Sequence, residues 1–121
     1  NKYRNSSNKN KSKGVHFLID FENIPFEKLE DKDKLLNMFE EAIKIAELTV
    51  IDKKIHKFEP QGLTGIYLLS ESHLSFHTWP ENEQLSIDLY SCSDFEVTKK
   101  GVDYILKNFK EYKYKLKKII R

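Results

Sequence analysis

Cysteine is almost missing from this 121-residue chain: Cys92 stands alone, so an internal disulfide is excluded and a reducing, cytoplasmic setting is the expectation. Glycine and proline are scarce, with four and three residues, which excludes collagen-like and low-complexity chains. No apolar run reaches the roughly 18 residues that a membrane-spanning helix needs, and no signal-peptide pattern opens the chain. An excess of one charge is absent as well. Net charge is +2, yet residues 1–13 hold five Lys or Arg and no acid, which leaves about −3 on the remainder. Residues 1–13 are therefore expected to form a basic, disordered leader. An acidic partner or RNA is the alternative for that leader, although nucleic acid is not expected. No Met begins the chain, so the natural N-terminus is expected to be missing or trimmed.

What remains suits one domain over residues 14–121. Eight Phe and six Tyr can fill a single core. A domain of this size buries a modest share of its surface, so association with a second copy would help it. Residues 15–21 read as a strand. Residues 35–48 put Leu35, Met38, Phe39, Ala42, Ile45 and Ala46 on one helical face and Glu40, Glu41, Lys44 and Glu47 on the other. Further strands are predicted over residues 49–58, 63–69, 73–79 and 84–92, with turns at 60–62 and 80–83. Val102, Ile105, Leu106 and Phe109 are spaced for a second helix. Residues 112–120 either extend that helix or form a last strand. The order points to an α+β two-layer sandwich, a mostly antiparallel sheet covered on one face by two helices.

Residues 68–80, LLSESHLSFHTWP, concentrate polar groups between apolar strands. Strand alternation puts His73, Ser75 and His77 on one side. Three readings arise. The segment is a solvated strand face, a metal site or the seat of a nucleophilic serine. His73 and His77 would lie about 13 Å apart on a strand, too far to share one zinc without a bend, so no metal is expected. Spacing alone does not separate a solvated face from a reactive serine with a histidine base.

The residues themselves go further. LLSESHLSFHTWPE at 68–81, followed by IDLYSC at 87–92, resembles the bacterial and archaeal S-adenosylmethionine decarboxylases. FEPQGLTG at 58–65 and GVH at 14–16 resemble that family's upstream motifs. The resemblance implies a proenzyme that cuts itself between Glu71 and Ser72 and turns Ser72 into a pyruvoyl cofactor. That group would form a Schiff base with the substrate, S-adenosylmethionine, on the route to spermidine. His77 would serve as the processing base, Thr64 would orient processing groups where the family usually has Ser, and Cys92 would return a proton. Ser91 and Ser93 stand where Thr and Gly are usual. Phe58 would stack on adenine, Glu81 would hold the ribose hydroxyls, and Leu74 and Trp79 would line the pocket. His16 and Asp20 would contribute nearby. The resemblance also implies a symmetric homodimer of cleaved protomers with sites near the interface. Two alternatives stay open: a pyruvoyl-dependent ornithine or arginine decarboxylase of the same family, which Glu22, Asn23 and Glu27 could suit, and an uncleaved paralogue that activates a partner enzyme.

Overall fold

The computed structural model describes residues 14–121, so the expected leader lies outside the described residues. Six strands form one antiparallel sheet in the order β2-β3-β4-β5-β1-β6. They are β1 (Val15–Glu22), β2 (Val50–Lys57), β3 (Leu63–Leu69), β4 (Ser72–Trp79), β5 (Gln84–Ser91) and β6 (Lys113–Ile120). Between β1 and β2 lie a short helix α1 (Phe26–Leu29) and the longer α2 (Lys32–Ile45), and α3 (Phe95–Asn108) joins β5 to β6. The expected α+β two-layer sandwich is the observed fold.

Alternation along each strand builds the layers. On β1, Val15, Phe17, Ile19 and Phe21 are buried while Asp20 is exposed and His16, Leu18 and Glu22 are intermediate. The buried face meets α2 and α3: Phe39 stacks on Phe76 with ring centroids 4.5 Å apart, and Phe17 on Phe95 at 5.9 Å. Asp31 caps α2 by accepting from the Lys34 amide, and Asp94 caps α3 by accepting from Glu96 and Val97. The helices touch closely at Gly101, where an added Cβ would lie 2.6 Å from the Ala42 carbonyl oxygen.

The structure adds the short helix α1, which was not expected, and starts α2 at Lys32 rather than at residue 35; two further elements differ from the sequence expectation. The second helix starts at Phe95, seven residues before Val102, because the Asp94 cap sets its first turn. Residues 113–120 form a strand because β1 offers its free edge, and Val15 pairs with Ile120 through to Glu22 with Lys113. Every residue of β6 is exposed, and its lysines suit an edge that must not attract other strands.

The second face of the sheet carries His16, Leu18 and Asp20 on β1, Thr64, Ile66 and Leu68 on β3, His73, Ser75, His77 and Trp79 on β4, and Ser86, Asp88 and Tyr90 on β5. All of these are exposed or half-buried, with Ile66 and Leu68 at 47% and 52% exposure. Large aliphatic residues in the middle of an uncovered sheet face are unusual for a face that stays wet.

Candidate active site

Leu69 pairs directly with Ser72, so Ser70 and Glu71 make a two-residue turn between β3 and β4. Glu71 holds φ at +56°, in the left-handed region that costs a non-glycine residue about 1–2 kcal/mol. Ser72 follows at once, buried at 7% exposure on the helix-covered face. Its Oγ accepts a hydrogen bond from the Cys92 amide at 3.3 Å. Cys92 lies one residue beyond β5, which pairs with β4 through His73 and Tyr90. Its Sγ donates to the Tyr90 hydroxyl at 3.5 Å.

Rings crowd the same end on the open face. His73 stacks with Tyr90 at 5.7 Å, and His16 meets both edge-on at 6.2 and 6.0 Å. Burial lowers the His73 pKa, and the neighbouring His16 lowers it further against a smaller opposing pull from Asp88. His16 Nε2 lies 3.3 Å from Asp88 Oδ1, within ion-pair reach, and that buried nitrogen forms no hydrogen bond.

A second group occupies the open face and the far end of β4. Thr64 and His77 are cross-strand partners, and Thr64 Oγ1 is 2.8 Å from His77 Nδ1. Trp79 packs against the His77 ring at 5.6 Å. Glu81 follows in a single 3-10 turn, Pro80–Asn82, and accepts from Gln61 Nε2 at 3.3 Å. Phe58 opens the β2–β3 turn with 46% exposure, and its amide donates to the Gly62 carbonyl at 2.8 Å. Gly62 holds φ at +110°, which only glycine adopts without strain, and its amide donates to Glu30 Oε2 at 2.8 Å. Glu30 Oε1 accepts from Lys57 Nζ at 2.9 Å, so one carboxylate pins the turn that displays Phe58. Nearby, a cleft of about 390 Å³ is lined by Asp20, Glu22, Trp79, Gln84, Ser86 and Lys115, among others.

The structure brings Glu71, Ser72 and Cys92 together, and it brings Thr64 and His77 together. It does not join the two groups within one chain. Ser72 and His77 are five residues apart on one strand, hence on opposite faces and separated by about 17 Å. Phe58, Trp79 and Glu81 gather at the end of β4 away from Ser72. Leu74 is fully buried in the core, which leaves it no surface toward a pocket. Sequence reasoning did not single out Tyr90, although its position two residues before Cys92 on a strand puts both on one side. It also passed over Thr98 and Glu30, whose partners lie in distant elements.

Ser72 and its surroundings suit a pyruvoyl group made in place. The hydroxyl is buried, held by the backbone amide of Cys92 and preceded by a left-handed residue. Among the described residues, no group of three His, Cys, Asp or Glu is arranged to hold a metal ion.

Fold and site together define a small two-layer α+β protein with a clasped serine and cysteine at one end of its sheet. The profile of the S-adenosylmethionine decarboxylase family matches residues 15–121. The S-adenosylmethionine decarboxylase proenzyme of Sulfurihydrogenibium sp. strain YO3AOP1 is 41% identical over 100 residues, covering 83% of this chain and 75% of that protein. The proenzyme of that name from Clostridium botulinum strain Loch Maree is 36% identical over 111 residues, covering 92% and 96%. The crystal structure of the adenosylmethionine decarboxylase from Aquifex aeolicus VF5 superposes with a TM-score of 0.83 at 32% identity, covering 92% of each chain. The chain belongs to the S-adenosylmethionine decarboxylase family.

Proposed function

We propose that this chain is the precursor of a self-cleaving, pyruvoyl-dependent decarboxylase that converts S-adenosylmethionine to its decarboxylated form for spermidine synthesis. The observation that carries the reading is the Ser72 hydroxyl, buried at the first position of β4, held by the Cys92 amide and set directly behind the left-handed Glu71. Ser72 Oγ attacks the Glu71 carbonyl carbon. The Glu71–Ser72 C–N bond breaks, the hydroxyl proton ends on the freed Ser72 amine, and the peptide becomes an ester. Removal of the Ser72 α-proton by a base expels the Glu71 carboxylate. The dehydroalanine left at residue 72 takes up water and releases ammonia, which leaves the pyruvoyl group. That group supplies an electron sink that no side chain offers. The chain's own residues do the rest. Cys92 Sγ holds the proton that replaces the lost carboxylate. The Phe58 ring and the Glu81 carboxylate suit an adenine face and a ribose diol, and Trp79 walls the same end.

His77 is the base of this scheme, and a homodimer is the arrangement that would supply it. Thr64 Oγ1 can accept from or donate to Nδ1; in the tautomer whose Nδ1–H donates to Thr64, the ring keeps a lone pair on Nε2, the form that removes a proton. That nitrogen cannot reach Ser72 of its own chain. Two copies packed through their open sheet faces about a two-fold axis would bury Ile66 and Leu68 and bring the partner's His77 to the Ser72 end of β4, where the base has to reach the α-proton of residue 72 rather than the hydroxyl on the helix-covered face. A cytoplasmic location accords with the lone thiol that the scheme needs reduced.

Intact-mass analysis of purified protein tests the reading. Two chains are expected, residues 1–71 and 72–121, the second lighter by one ammonia than a Ser-headed peptide, and Ser72→Ala should stay whole. Wild-type protein that remains one chain after long incubation would overturn the proposal in favour of the uncleaved paralogue. Carbon dioxide release from S-adenosylmethionine, ornithine and arginine, measured side by side, settles the substrate.

A further inference from the structure

Three hydroxyls surround Cys92 without touching its thiol. Ser91 Oγ and Ser93 Oγ are 2.8 Å apart, Ser93 Oγ and Thr98 Oγ1 3.2 Å, and Thr98 Oγ1 donates to Ser91 Oγ at 3.0 Å. The Ser93 amide adds a bond to Ser91 Oγ at 3.0 Å. Ser91 and Thr98 are fully buried, so each hydroxyl needs a partner inside the protein, and each of the three serves the other two. Thr98 belongs to the first turn of α3, which Asp94 caps. The residues on both sides of Cys92 are therefore tied to one fixed point on the helix. From that clasp, the Cys92 amide reaches Ser72 Oγ and its thiol reaches Tyr90.

We infer that Ser91, Ser93 and Thr98 form a clasp that positions Cys92 against residue 72, which makes Ser93 and Thr98 positioning residues of the reaction proposed above; the inference rests on that reading. A clasp that merely held β5 to α3 would matter to stability alone. One that sets the thiol must also change the chemistry of the thiol.

Cys92 is the only cysteine, so iodoacetamide labels one site and intact mass counts it. Thr98→Val keeps the shape and removes the hydroxyl, leaving Ser91 and Ser93 short of a partner. The variant should be alkylated roughly tenfold faster and lose about tenfold in kcat with KM unchanged, the size of effect that one buried hydrogen bond carries. Its pH midpoint of labelling should move as well. Thr98→Ser should restore labelling, midpoint and kcat to within about twofold of wild type. Should Thr98→Val not fold, Ser93→Ala is expected to change the same quantities in the same direction by about threefold. Labelling and kcat that stay at the wild-type values in the folded variant would overturn the inference. So would a Thr98→Ser variant as impaired as Thr98→Val, since the methyl rather than the hydroxyl would then matter. Repeating the labelling in a Ser72→Ala background needs neither cleavage nor turnover. A clasp effect there beside a wild-type chain that neither cuts nor decarboxylates would sink the decarboxylase reading while leaving the clasp intact.

Discussion

The two ends of β4 are built in different ways. At the Ser72 end, the serine hydroxyl is buried, bonded to a backbone donor and flanked by a left-handed turn on one side and the Cys92 loop on the other. At the Trp79 end, Phe58 and Trp79 are 46% and 38% exposed, and His77 beside them is exposed too. The first end is preorganised inside the protomer. The second is an assembled but open surface whose order comes from one ring bond to Thr64 and from the Glu30 carboxylate behind the Phe58 turn. Ser72 and the Cys92 loop are thus fixed from within the protomer, whereas Phe58, His77 and Trp79 are presented to the outside.

Breaking each end should have separable consequences. The largest effects belong to His77 and Cys92. His77→Ala should stall cleavage, at the peptide or at an ester that hydroxylamine cuts. Cys92→Ala should still cleave, at least in part, and lose most of its decarboxylation. A Cys92→Ala enzyme that cleaves and turns over like wild type would remove its role as proton donor. Smaller effects are expected at the open end. Phe58→Ala and Glu81→Gln should each lower kcat/KM for S-adenosylmethionine about tenfold to a hundredfold, from lost stacking and a lost charged acceptor. Self-cleavage needs neither group and should proceed, as a gel of the purified variants will report.

The smallest expected effect concerns Glu30 and depends on pH. Burial raises the Glu30 pKa, but the Lys57 ammonium and the Gly62 amide outweigh it and hold the carboxyl below its ordinary 4.5. A folded pKa below the unfolded one means that the unfolded chain binds more protons, so the group's contribution is present above pH 4.5 and fades as pH falls through the lower folded value. Glu30→Gln should therefore lower Tm by a few degrees at neutral pH and by less in acid. Its KM should rise a few-fold as the Phe58 turn loosens, while kcat holds. An equal Tm difference at every pH would show that the carboxylate's charge does not matter.

Much of this was legible in the sequence, for stated reasons. Apolar and alternating runs between turn residues marked five of the six strands, and the dense motif at 68–81 marked the Ser72 hairpin. The start of α3 was obscured because Thr98 and Gly101 interrupt the apolar stripe. They are there for tertiary reasons, one to bond Ser91 and one to let Ala42 approach. β6 alternates Lys with apolar residues, but only the free edge of β1 decides between strand and helix. Grouping His77 with Ser72 follows the order of the motif, whereas the odd spacing of five already puts them on opposite faces of any strand. Leu74 belonged to the core by the same alternation. What the sequence could not carry is the packing behind each end: the Thr98–Ser91 bond that ties the Cys92 loop to α3, and the Glu30 carboxylate that pins the Phe58 turn.

The most direct test of a site completed by a second copy mixes two inactive chains. Ser72→Ala lacks the nucleophile and His77→Ala lacks the base, so neither homodimer should cut itself. In a mixed dimer, Ser72 of the His77→Ala chain would face the partner's intact His77. Co-expressing the two with different tags should therefore restore cleavage of the His77→Ala chain alone, and intact mass will identify which chain is cut. Absence of any cleavage in isolated mixed dimers, or a His77→Ala chain that cuts itself unaided, would contradict the account.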